Sequence, residues 1–117
     1  MLDYQILYQF LWDGIQRVIC AMEQEADETR NLVLQKYVVS MHRLQITAEE
    51  MELNQRVKKT ERQGGYKTMY LHLFNLVTDM IGKLDIEEES FIVKKHMLSL
   101  QNIQRDAENL YLEQTEE

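Results

Sequence analysis

Three histidines, one cysteine and several clustered carboxylates are the side chains of this 117-residue chain with the chemistry to act on a substrate or hold a metal. A carboxylate-bridged metal centre in a helical bundle needs Glu-x-x-His on facing helices, so that both ligands project from one face. The residues three before His42, His72 and His96 are Val39, Met69 and Val93, so no metal site is expected. Cys20 follows the apolar Ile19 and has no histidine at helical spacing on its own helix, so the base that would make the thiol a nucleophile is missing. Gly64-Gly65 continues as Tyr66-Lys67-Thr68, which is not the remainder of a phosphate-cradling loop. We expect no catalytic, cofactor-binding or metal-ligating residue and no enzyme activity. His72 and His96 are read as flank residues beside the apolar stripes.

The carboxylates point elsewhere. Near Asp85, Glu87-Glu88-Glu89 are consecutive, whereas calcium ligands alternate around a sharp turn. Their placement suits the positive end of a following helix. Glu49, Glu50 and Glu52 form a solvated face, or a surface that meets a basic protein. The 20 Asp and Glu against 13 Lys and Arg give a formal charge of -7, which opposes attraction to a phosphate backbone. Direct nucleic-acid binding is not expected.

These residues must be positioned by helices. The chain has no proline and only 4 glycines, too few turn formers for many short strands. With 44% apolar residues it can bury one core. A single cysteine excludes an internal disulfide and fits a reducing cytoplasm. No apolar run approaches the roughly 20 residues of a membrane span, and the first residues lack the basic start of a secretion signal. A soluble, cytoplasmic chain is expected.

Apolar residues at Tyr4, Leu7, Tyr8, Leu11, Trp12, Ile15, Val18, Ile19 and Met22 step by three and one, the mark of an amphipathic helix. The polar stretch Glu23 to Arg30 interrupts it, with Asp27 or Thr29 placed to cap a second helix. That helix carries Leu34, Val38, Met41, Leu44, Ala48 and Met51, and Gly64-Gly65 marks the midpoint. Tyr66, Met69, Tyr70, Leu73, Phe74, Val77, Met80, Ile81 and Leu84 then repeat the first stripe. Val93, Met97, Leu100, Ile103, Ala107 and Leu110 repeat the second. Aligning 4–22 with 66–84 (offset 62) and 31–55 with 90–114 (offset 59) gives 11 identities in 44 pairs.

We read a tandem duplication of one αα-hairpin. The expected fold is an all-α four-helix bundle forming a single domain, 1–117, with internal repeats 1–59 and 66–117 and a linker 60–65. Its helices are expected near 4–23, 29–56, 66–84 and 89–113, connected up-down-up-down or swapped between chains through the glycine linker. The core is drawn from Leu11, Ile15, Met41, Leu44, Leu73, Val77, Leu100 and Ile103. Tyr8 should superpose on Tyr70, and Ala48 on Ala107.

The segment YKTMYLHLFNLVTDMIGKL and the later AENLYLEQ resemble short uncharacterised proteins of low-GC Gram-positive bacteria and their prophages. These share a Y-x-x-x-Y-x-x-L-F-N-x-V-T-D helix followed by one ending in A-E-x-x-Y. The match covers residues 66–114, and the first half departs from it at Trp12-Asp13-Gly14. The resemblance implies a bacterial or mobile-element setting and no catalytic residues.

With chemistry excluded, surfaces remain. Tyr4, Tyr8 and Trp12, with Tyr66, Tyr70 and Phe74, form an aromatic face that suits a bundle core or an interface. Tyr37, Tyr111, Phe10 and Phe91 lie off the central stripes and are expected at surface contacts. Leu7, Val39, Leu53 and Leu98 are extra apolar positions. The expected function is a non-enzymatic helical protein-protein interaction module that self-associates as a homodimer, with Glu49, Glu50, Glu52, Tyr37, Tyr111, Val39 and Leu98 at its contacts. The alternative is a phage or mobile-element inhibitor of a host nucleic-acid-handling effector, anti-CRISPR-like, working through the acidic faces. No cofactor and no membrane contact are expected.

Overall fold

Asp3 starts the first helix: its carboxylate accepts the Gln5 and Ile6 amides, at 3.0 and 3.3 Å, satisfying donors that have no intrahelical partner. A computed structural model describes residues 3–58, 62–87 and 90–115. It contains α1 (Tyr4–Thr29), α2 (Leu32–Lys58), α3 (Arg62–Asp85) and α4 (Phe91–Thr115), with no strand among the described residues.

The helix ends differ from expectation where polarity misleads. α1 runs on through the polar stretch to Thr29 because Ala26, four residues after Met22, continues the buried stripe. Arg30 then takes a left-handed conformation, φ 53°, and its amide closes the helix on the Ala26 carbonyl. Neither Asp27 nor Thr29 caps α2. Asn31 does, its Oδ1 accepting the Leu34 amide at 3.0 Å. Ser90 plays the same part for α4, its Oγ accepting the Val93 amide at 3.3 Å. α3 starts at Arg62, four residues earlier than expected, so Gly64 and Gly65 lie within its first turn. Glycine costs a helix about 1 kcal/mol per residue but does not forbid it. Of the expected linker, 59–61 fall outside the described residues, as do Glu88 and Glu89.

Cross-helix bonds define the connectivity. The Asp3 amide donates to Gln114 Oε1, and Glu25 at the other end of α1 meets His96, so α1 and α4 are antiparallel. Tyr37, near the start of α2, reaches Lys83 and Glu87 at the end of α3, so α3 runs antiparallel to α2. Because α1 reverses into α2 within two residues and is antiparallel to α4, α3 is antiparallel to α4 as well. The result is an up-down-up-down four-helix bundle. α1 and α3 make the most extensive contact, while α2 and α4 barely meet, so the cross-section is a rhombus and the particle is flat, 44 × 33 × 21 Å. All eight expected core residues are buried, and so is Leu7, which is therefore no partner contact.

Candidate functional site

The side chains with chemistry do not converge. Cys20 and His72 are exposed. His42 pairs with Glu23 at 3.0 Å on the surface, both side chains 45% exposed, a geometry worth little in water. Among the described residues no three His, Cys, Asp or Glu are grouped to hold a metal ion.

His96 is the exception to its expected place. It is 4% exposed, its Nε2 lying 3.0 Å from Glu25 Oε1, while Lys95 donates to the other carboxylate oxygen. Tyr37, expected at the surface, is buried to the same 4%, its hydroxyl proton shared between Glu87 Oε1 at 2.9 Å and the Lys83 carbonyl at 3.0 Å. The two sites correspond in spacing: Tyr37 and His96 differ by the second offset, 59, and Glu25 and Glu87 by the first, 62, carried three residues past its aligned end. A phenol replaces an imidazole in the same bond to a carboxylate, so the shared element is the cross-helix bond and not acid-base chemistry. Gln45 and Gln104 repeat the pattern, bonding Gln16 at 3.2 Å and Thr78 at 2.7 Å.

Lys95 and His96 hold the Glu25 carboxyl below the usual range, the Lys95 hydrogen bond contributing most, against burial that pushes it up. A depressed carboxyl stabilises the fold above its ordinary value of 4.5 and loses that contribution as pH falls through the lowered one. Glu25→Gln should therefore lower stability at pH 7 by about 1–2 kcal/mol. It should also flatten the loss of stability below pH 4.5, which thermal melts from pH 7 to 3 would measure. A variant with the wild-type acid profile would show that the bond contributes nothing.

The aromatic residues gather at the opposite end. Tyr4 meets Tyr70 and Tyr8 meets Tyr66, both with ring centroids 6.1 Å apart, and Tyr8 with Trp12 mirrors Tyr70 with Phe74. The paired tyrosines thus make equivalent contacts in both repeats, and the cluster is core at its centre, where Tyr8 and Tyr70 are buried. The Tyr70 hydroxyl is pushed up to about 12, by burial first and then by Glu108, Tyr4 and Tyr111. Beside it a groove of about 510 Å³ opens between Tyr4, Tyr70, Phe74 and the half-buried Tyr111. Where Leu71 and Tyr111 line it, the first repeat has Gln9 and Glu52, so this part of the lining is not duplicated. Lys67 and Glu108 also line the groove, with no cysteine, serine or histidine beside them.

The remaining expected contacts lie outward. Glu49 and Glu50 are exposed and Glu52 half-buried on α2. Val39 on α2 and Leu98 on α4 are half exposed at equivalent positions. Sequence reasoning missed that they belong to longer rows, Leu32, Val39, Ile46 and Leu53 on α2, and Phe91, Leu98 and Leu112 on α4, all exposed. Their seven-residue spacing was the available signal. No helix of the described residues is long and apolar enough to cross a membrane. No family model matches the chain, and no curated protein or solved structure matches it.

Proposed function

We propose that the protein is a non-enzymatic helical interaction module that assembles with itself. One observation carries this reading: large apolar side chains stand exposed in register on the outer faces of α2 and α4, while the buried Tyr37 and His96 are taken up in bonds between helices. A globular chain without a partner seldom aligns apolar residues along a solvent face. The setting we favour is the cytoplasm of a low-GC Gram-positive bacterium or its prophage. Light scattering across a range of concentrations tests the reading. The mass should exceed the 14.0 kDa of one chain and persist in about 1 M salt, where charge attractions are screened within about 3 Å.

The second reading, an acidic inhibitor of a nucleic-acid-handling effector, draws on the exposure of Glu49 and Glu50. It expects a monomer at every salt concentration and a partner lost on reversing those charges to Lys.

A further inference from the structure

Resting on the self-association just proposed, we infer that the outer face of α2 pairs antiparallel with the same face of a second copy. Leu32, Val39, Ile46 and Leu53 recur every seven residues along α2 and are 52–79% exposed. They lie opposite the buried row Leu34, Met41 and Ala48, since five residues separate Leu34 from Val39 and turn the helix through nearly half a circle beyond one turn. Seven-residue recurrence is the period at which one helix keeps facing another along a slight supercoil. Ser40 and Thr47, one residue past Val39 and Ile46, are small enough to let a second helix approach.

Charge selects the occupant and its direction. Lys36, Arg43 and Glu50 each follow a row residue by four positions and are exposed, so they border the row on one side. A parallel pairing would set this border against the other border of the partner's row, Gln35, His42 and Glu49, and would not bring Lys36 to Glu50. An antiparallel two-fold pairing centred between Val39 and Ile46 sets Leu32 against Leu53 and Val39 against Ile46. It brings Lys36 to Glu50 twice and leaves only Arg43 beside its own copy at the dyad. Complementary charge of this kind fixes direction and register. The equivalent face of α4 does not offer the same contact. Arg105 stands where α2 has Ile46, and the bordering residues are Lys95, Asn102 and Asn109. Because α2 and α4 lie at opposite ends of the long diagonal, a dimer through α2 leaves both α4 faces at its outer edges.

Sedimentation equilibrium of the full chain decides the matter, with circular dichroism confirming that each variant is folded. Wild-type protein should show twice the 14.0 kDa chain mass. Val39→Asp with Ile46→Asp should raise the dissociation constant about 100-fold or more, because unpaired charges would be buried, while Leu98→Asp should leave it unchanged. Lys36→Glu and Glu50→Lys should each weaken the dimer about tenfold, and the two together should restore it. A wild-type monomer at all concentrations would overturn the self-association reading itself. A dimer that survives Val39→Asp with Ile46→Asp, or dissolves with Leu98→Asp, would keep self-association and overturn the α2 face. Failure of the charge exchange to restore the dimer would overturn the antiparallel register.

Discussion

Leu11→Ala and Leu73→Ala should each lower the free energy of unfolding by about 2–5 kcal/mol, and by nearly equal amounts. Both leucines are fully buried, on α1 and α3, at positions related by the offset of 62 that aligns the repeats. Truncation removes three carbons from water-free surroundings and leaves a void that a close-packed interior fills only in part. The equality matters as much as the size. If the halves descend from one hairpin and keep its packing, the two sites have like neighbours and collapse alike. Urea denaturation of both variants would measure this. A difference above about 2 kcal/mol, comparable to the spread among unrelated leucine sites, would indicate unlike surroundings and count against the duplication. The double variant should be close to unfolded at room temperature, because two such losses approach the roughly 5–15 kcal/mol that holds a domain together.

The core was legible because burial follows spacing on a helix. From Leu11 to Ile103 the residues at three- and four-residue steps are the ones inside, and no competing signal obscured them. The ends were less so. Glu23 to Arg30 reads as a loop by polarity, yet only Ala26 in that stretch needs to face the core, and one small side chain is enough to keep a helix attached to its bundle. Tyr37 and His96 were misplaced for a related reason. Each is amphipathic, and burial of such a group depends on a distant carboxylate, Glu87 or Glu25, that local periodicity cannot reveal. The repeat itself held the missing information, since the two offsets pair Tyr37 with His96 and Glu25 with Glu87. Exposed faces are the hardest to read. In the sequence Val39 and Leu98 stand out only as surplus to the core, and the rows they belong to become visible once α2 and α4 are known to lie at the far corners of the rhombus.

Gly14→Ala should destabilise the protein by about 1–3 kcal/mol, although alanine is the better helix former by about 1 kcal/mol. A β-carbon at Gly14 would lie 2.7 Å from Ile103 Cγ2 and 3.1 Å from both Cγ1 and Cδ1. Cγ2 is fixed directly to the β-carbon of a stiff, branched side chain, so rotation of the chain end cannot relieve the contact. The same site explains where the two repeats part. In the second repeat the equivalent of Gly14 is Leu76, and the equivalent of Ile103 is Leu44. With glycine on one side, α1 settles more extensively on α4 than α3 does on α2. The Ile103 side chain lies in the space that a side chain at Gly14 would need. A double-mutant cycle isolates this contact. In an Ile103→Ala background, where Cγ2 is gone, Gly14→Ala should become neutral or stabilising, a coupling of at least about 1 kcal/mol. In an Ile103→Val background, where Cγ2 remains, the penalty should persist. Equal penalties in all three backgrounds would show that Ile103 is not what excludes a side chain at Gly14.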